Sequence, residues 1–425
     1  HDALRLRFVR DNSAWQQYNA DIDSLIPFTQ IDLSALSETD QRQAIENKAT
    51  ALQTALNLSE GPIVAVALFN VGQQKPGYLL IVIHHLAVDG VSWRILLEDL
   101  QTAYEQLSRG EAMQLPAKTT SFKEWSQQLQ TYAQSATLKA ELTHWSMQPE
   151  SQAYNLPVDY SGGANTEASA CTVAVTFSAE ETTCLLQQIP ATYGTQINDV
   201  LLTALMQAFV QWTGHHALFI HLEGHGREDI MENVDVSRTV GWFTSIFPAL
   251  LKIDPAGSPR DILKAVKEQL RQIPNRGVGY GLLRYLSEDT AIREKLQSLP
   301  TAQVSFNYLG QYDQLLTEHA FFRMEADPIP VGPMVSPHGT RFTLLYIGGN
   351  IVSGQLHVDF QYSQNIHKSS TIESVASAFA QALRVLISDC QTPNTSDYTT
   401  ADFPNAKLSQ QDFATVMAKL RQRGE

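Results

Sequence analysis

The sequence predicts an α/β or α+β protein, with strand-like and helix-like segments interleaved along most of its length. Three observations carry that reading. Apolar runs of strand length, such as 79–83 (LLIVI), stop at turn residues. Capping signals of the Ser-x-x-Glu type, at 121–124 and 178–181, precede segments with apolar residues at helical spacing. Neither type of segment gathers in one half of the chain, so both halves are mixed.

Each element follows in order. Residues 4–9 alternate like a strand, and 62–71 and 77–83 read as two more, the last of them buried. Residues 91–108 form an amphipathic helix, and 121–124 open another with Trp125, Leu129 and Tyr132 at helical spacing. Residues 150–169, rich in Ser, Gly, Asn and Pro, read as a long loop or linker. A strand at 171–177 is followed by the capped helix from 178. The apolar helix 197–212 carries Asn198 and Asp199 in its first turn, where polar and acidic groups suit the helix dipole. The strand 217–222 ends at EGHGRE, 223–228. Further strands are expected at 304–308 and 356–362, and a helix at 371–387 with Val375, Phe379 and Leu383 on one face. The end of the chain is polar, with a short helical pattern at 409–420, and no internal repeat occurs.

With 425 residues, the chain exceeds what one hydrophobic core usually covers. Two lobes are expected, 1–160 and 161–396, followed by a tail at 397–425. A hydrophobic fraction of 43% with 17% charged residues is globular rather than disordered. Thirty basic against 44 acidic residues give a net charge of −14, which argues against a nucleic-acid partner. No apolar run approaches transmembrane length, so no membrane role is expected. Three cysteines without a C-x-x-C pair imply neither a disulfide framework nor a zinc ribbon, and a reducing cytoplasm is the expected location. The chain opens on His1 rather than Met, and is expected to be a piece of a longer polypeptide or to lack its true start.

The chemistry concentrates at HHLAVDGVSW, 84–93. Two histidines leave a strand, Asp89-Gly90 turns the chain, and a helix begins. Rigid elements on both sides hold an imidazole able to exchange a proton near neutral pH. In a strand frame His84 and His85 face opposite ways, so one serves a cavity and the other the structure. His85 is the first candidate for acid/base work. Asp89 either orients an imidazole, as a triad acid does, or fixes the turn and pairs with Arg227 or Arg238. The second reading is preferred, and the sequence does not choose between the two arginines. Glu223 is the second candidate, because Gly224 and Gly226 let a ligand or another backbone approach its carboxylate. The competing reading is a turn acid bridged to Arg227. His225 reads as structural. No metal is expected, since no H-E-x-x-H or comparable ligand spacing occurs. GVGYG at 277–281 lacks a dinucleotide fingerprint's spacing and preceding strand, and neither a Walker A sequence nor a G-x-S-x-G elbow is present.

The motifs together resemble a known family. HHLAVDGVSW, with Gly90 and Trp93 in its second half, is similar to the His-His-x-x-x-Asp-Gly signature of the condensation superfamily in non-ribosomal peptide synthetases. Four segments resemble its epimerization branch and occur in the family's order. They are EGHGRE (223–228), RTVGWFTSIFP (238–248), GVGYGLLRYL (277–286) and FNYLGQYD (306–313). Ser121-Phe122-Lys123-Glu124-Trp125 is similar to the family's Ser-Phe-x-x-Trp helix start. The family's earliest segment has no counterpart, so the first elements of the first lobe are expected to be missing.

The resemblance implies an α+β two-layer sandwich built as two chloramphenicol acetyltransferase-like lobes in a V, with a central tunnel. It places His85 in the first lobe and Glu223 in the second, with Asn307 and Tyr308 as tunnel-lining candidates. The implied reaction inverts the α-carbon of an aminoacyl or peptidyl thioester on the phosphopantetheine arm of an upstream peptidyl carrier domain. Neighbouring synthetase modules are the other partners, and no cofactor belongs to the chain itself. Glu223 is the better choice for deprotonating the L-residue. His85 is then the opposite partner or the stabiliser of the enolate. Burial is expected to raise the glutamate and lower the histidine towards neutrality. The alternatives are an amide-forming condensation domain, a catalytically silent carrier-docking module and a free CoA-dependent acyltransferase.

Overall fold

The structure, a computed structural model, describes residues 1–11, 14–22, 27–73, 75–146, 155–311, 322 and 329–390. The expected tail at 397–425 lies outside the described residues, as do 150–154 of the long loop and the last two residues of FNYLGQYD. The chain forms two compact units. Unit 1 comprises His1–Thr131, His225–Thr244 and Gln314–Gly339, and unit 2 comprises Tyr132–Gly224, Ser245–Asp313 and Thr340–Glu425. They divide the chain differently from contiguous lobes at 1–160 and 161–396, because 225–244 leaves its strand to join unit 1.

Unit 1 opens with a 3-10 turn, Asp2–Arg5, so the strand expected from residue 4 begins later. That strand, β1 (Leu6–Asp11), pairs antiparallel with β2 (Ala14–Asn19). A second sheet has the order β3 (Phe28–Asp32), β4 (Val64–Asn70), β5 (Tyr78–Ile83). β3 and β4 are parallel and are joined through α1 (Glu38–Thr54), whose N-cap Ser37 accepts the Asp40 N–H. Alternation along β4 splits the core. Ala67 and Phe69 meet Ile45 of α1. Val64 packs with Ile95 of α2 (Gly90–Ser108) and with Ala87 and Val240. The apolar run predicts a buried β5, yet all six of its residues are half-buried, because among the described residues it pairs on one side only and forms the sheet edge. The last helix is α3 (Phe122–Tyr132), started by Ser121, whose Oγ accepts the Glu124 N–H at 3.1 Å.

Unit 2 is built on a six-stranded mixed sheet, ordered β6 (Ala170–Thr176), β11 (Gln355–Ser363), β10 (Leu345–Val352), β9 (Val304–Gln311), β7 (Ala217–Gly224), β8 (Ser245–Lys252). The helix α4 (Ile197–Thr213) is apolar on nearly every side and buries ten residues, from Asp199 to Phe209. Its capping box is made by Gln196 and Asp199, and the Asp199 carboxylate takes a bidentate pair from Arg271 at 2.9 and 2.7 Å. Arg271 ends α5 (Pro259–Arg271). The long α6 (Ser369–Cys390) brings Phe379 within 5.6 Å of Phe360 on β11. Residues 155–169, expected as a linker or long loop, form a loop within unit 2 that ends in a 3-10 turn, Glu167–Ser169.

Register fixes which side chains share a face of this sheet. Leu222, Phe306, Ile347 and Phe360 form one transverse row, on the α6 side. One residue further along, Asn307, Gly348 and Asp359 form the next row on the opposite face, and Glu223 joins Asn307 there.

Candidate active site

In unit 1 the strand β5 stops at Ile83, before the histidine pair. His84 caps a 3-10 turn, His85–Ala87, with its Nδ1 accepting the Leu86 N–H at 3.2 Å. Strand alternation therefore does not govern the two imidazoles; the turn does. His84 is occupied by the backbone, and burial, then His85, holds its pKa below the ordinary value. His85 is exposed, with its ring tilted against Trp242 at 5.1 Å.

Asp89 is 4% exposed and fully engaged. As the N-cap of α2 its Oδ1 accepts the Ser92 N–H at 2.7 Å, which satisfies a donor that the helix leaves open. Oδ2 accepts the Phe243 N–H at 3.1 Å. Arg227 donates from Nη2 to Oδ1 and Oδ2 at 3.1 and 3.2 Å. It also donates to the Ser92 hydroxyl and to the carbonyls of Val236 and Thr239, and its guanidinium stacks 3.9 Å from the centre of the Phe243 ring. Burial depresses this guanidinium's pKa, and Asp89 opposes the effect. The residue that holds the corner below His85 is thus tied to EGHGRE. Of the two arginines available in the sequence, Arg227 is the partner, and Glu223 is not needed as its counter-ion. Arg238 instead pairs with Glu98 at 2.9 Å and Asp99 at 2.6 Å.

The remaining motif residues act locally. Trp93 is half-buried in the first turn of α2 and donates its backbone N–H to Asp89. Gly90, the first residue of α2, would have open space around an added Cβ. Gly241 would not: a Cβ there would meet the Phe122 ring at 2.4 Å. His225 accepts the Arg227 N–H on Nδ1 and lies 3.2 Å from Glu228.

In unit 2 Glu223 lies inside β7, opposite Ile246 of β8, rather than beyond a strand end. Its Oε2 accepts from Asn307 Nδ2 at 2.5 Å, which joins the EGHGRE and FNYLGQ segments across neighbouring strands. A carboxylate held this way has a defined orientation. Asn307 and Tyr308 are adjacent and face opposite sides of β9, so of the two only Asn307 shares the Glu223 face. Burial pushes the Tyr308 hydroxyl up to about 12. Two residues before Glu223, on the same face of β7, stands His221, 7% exposed. It escaped sequence reasoning, although a polar residue at alternate positions of an apolar strand (Ile220-His221-Leu222-Glu223) is a legible signal.

Among the described residues no group of three or more His, Cys, Asp or Glu is placed to hold a metal ion. No helix among them is long and apolar enough to cross a membrane.

This mixed α/β architecture with a His-His-x-x-x-Asp-Gly corner defines the chloramphenicol acetyltransferase-like class. The chain belongs to the Condensation domain family, whose model matches residues 1–409. It is 48% identical over 424 residues to one of the linear gramicidin synthase proteins of Brevibacillus parabrevis, covering 99% of this chain and 5% of that protein. It is 37% identical to tyrocidine synthase 1 of the same organism, covering 99% of this chain and 39% of the relative. The chain thus spans only a small part of these synthetases. Among solved structures, the epimerization domain from the third module of tyrocidine synthetase B superposes with a TM-score of 0.84 at 35% identity, covering 92% of this chain and 87% of that one. The first condensation domain of the CDA synthetase, at 17% identity and a TM-score of 0.60, shares the fold.

Proposed function

We propose that the chain epimerises the α-carbon of an aminoacyl or peptidyl thioester carried on the phosphopantetheine arm of a peptidyl carrier domain, giving an L/D mixture. The observation that carries the reading is Glu223, a carboxylate oriented by Asn307 on the polar face of the unit 2 sheet. In amide formation His85 would order the attacking amine and Glu223 would be incidental. Similarity to a solved epimerization domain supports the same reading.

The chemistry asks for little else. A thioester carbonyl acidifies the neighbouring C–H because the carbanion delocalises onto oxygen. Glu223 takes the α-proton of the L-residue, and the C–H electron pair becomes the enolate double bond. His85 returns a proton to the other face of the planar enolate. The reverse path uses the same two groups, which is why both stereoisomers accumulate. Asp89 and Arg227 keep the His85 corner in place and do not react. The reading calls for no cofactor of the chain's own, since the phosphopantetheine arm is a substrate handle. It places the domain in the cytoplasm beside an upstream carrier domain and further synthetase modules.

The test is α-proton exchange. A carrier domain loaded with an L-aminoacyl thioester is incubated with the protein in deuterated water, and deuterium at Cα and the D-fraction are followed. Incorporation with appearance of the D-isomer is expected. The name of the matching family favours a second reading, amide-bond formation between two carrier-bound substrates. Peptide product without exchange, when a second loaded carrier is supplied, would establish that reading instead.

A further inference from the structure

We propose that His221 is the electrophile of the reaction, donating a hydrogen bond from Nε2–H to the thioester oxygen as it becomes the enolate oxygen. This rests on the epimerase reading above.

His221 and Glu223 alternate on one face of β7, so their Cα atoms are about 7 Å apart. The α-carbon and carbonyl oxygen of a thioester are two bonds apart, about 2.4 Å, and a contact from a side chain to either reaches about 3 Å. The two residues are therefore spaced to reach one thioester, Glu223 at the proton and His221 at the oxygen. His221 is more than nine-tenths buried. Its Nδ1 is fully buried without a hydrogen bond. A buried acceptor left unpaired costs less than a buried donor left unpaired, so the proton belongs on Nε2. The Phe342 ring packs against the imidazole, with ring centres 5.1 Å apart and planes tilted by 42°.

Burial, with a smaller contribution from Arg284, pushes the His221 pKa down to about 4, so the imidazole is neutral at neutral pH. A neutral imidazole is a suitable electrophile for an enolate. It stabilises developing negative charge on oxygen without surrendering a proton that would trap the intermediate on the wrong atom. The balance is simple: the α-proton passes to Glu223, its electron pair enters the enolate, and the Nε2–H stays on nitrogen. His85 then needs only to deliver the proton to the opposite face.

The experiment compares α-proton exchange of wild type, His221→Phe and His221→Gln on carriers loaded with L-valyl, L-leucyl or L-phenylalanyl thioesters. Melting curves show that each variant is folded. Phenylalanine keeps the ring shape and lacks a donor; glutamine places an N–H near the Nε2 position. His221→Phe is expected to slow exchange by about 10²–10³, with KM changed little, and His221→Gln to recover at least about tenfold of that loss. Exchange by His221→Phe within about threefold of wild type, or equal losses in both variants, would overturn the proposal while leaving the epimerase reading intact. Should His221→Phe not fold, His221→Leu takes its place in the comparison. Wild type that exchanges none of the three thioesters would remove the epimerase reading and this proposal together.

Discussion

Asp89 and Arg227 form an ion pair at 3.1 Å in which both side chains are at least nine-tenths buried. Their 138-residue separation makes it the clasp that ties the connection following β7 to the His85 turn. Every carboxylate lone-pair direction is used: two by backbone N–H groups and the rest by the guanidinium. Removing one partner leaves the other charge buried and unpaired, which costs about 3–5 kcal/mol. Asp89→Ala and Arg227→Met should each lower the denaturation midpoint of unit 1 sharply. The double variant should lose clearly less than the sum of the two, as measured by urea unfolding of all four proteins. A strictly additive pair would mean that the clasp contributes nothing beyond its separate bonds.

Gly277 is where the backbone leaves least choice. Its φ is +91°, and it follows Asn275 and Arg276, which are also left-handed. A Cβ at this position would fall 2.0 Å from the Phe247 ring. Gly277→Ala therefore incurs both backbone strain and overlap, and should destabilise unit 2 by about 2–4 kcal/mol. Adding Phe247→Leu relieves the overlap but not the strain. Thermal melts should show partial recovery in the double variant, and none if the ring is not the obstacle.

Parts of this fold were readable because local pattern and tertiary environment agree. The β5–His–Asp-Gly–α2 segment has an apolar run, an N-cap residue and an amphipathic helix in sequence. Other parts were not. α1 buries only Gln41, Ile45 and Ala49, too few apolar positions to stand out, and Gln41 is held inside by hydrogen bonds to three carbonyls. Pro248 argues against a strand at 245–252, yet β8 is the edge of its sheet, where proline is tolerated. Gly348-Gly349-Asn350 looks like a turn but lies inside β10. The candidate site was legible in its residues and not in their contacts. That Asn307 orients Glu223 depends on the pairing of β7 with β9, a register no local pattern encodes.

Acid sensitivity follows from the buried histidines. Burial lowers the His221 pKa to about 4, and lowers those of His84, His144 and His367 as well. An unfolded histidine titrates near 6.5. Between these values the unfolded chain binds more protons at position 221 than the folded chain, so stability rises with pH there. The contribution is intact above about 6.5, falls as pH drops towards 4, and changes no further below it. His221 alone accounts for roughly 3 kcal/mol across that window. Unfolding free energies measured from pH 7 to pH 4 should fall more steeply in wild type than in His221→Phe. Equal slopes would show that position 221 does not hold a neutral imidazole in the folded state.

The Glu223–Asn307 contact makes a graded prediction about rate. Glu223→Gln keeps the size of the side chain and removes the base, so α-proton exchange should fall by about 10²–10⁴. Asn307→Ala leaves the carboxylate in place and removes the bond that orients it. A hydrogen bond to a charged group contributes about 1.5–3 kcal/mol, so the loss should be roughly 10- to 100-fold. The two effects share one mechanism, because Asn307 acts only through Glu223. Once Glu223 is glutamine, adding Asn307→Ala should therefore cost almost nothing more. Single-turnover exchange on all four combinations decides this. A full additional loss in the double variant would show that Asn307 meets the substrate directly, as a lining residue, rather than serving the base.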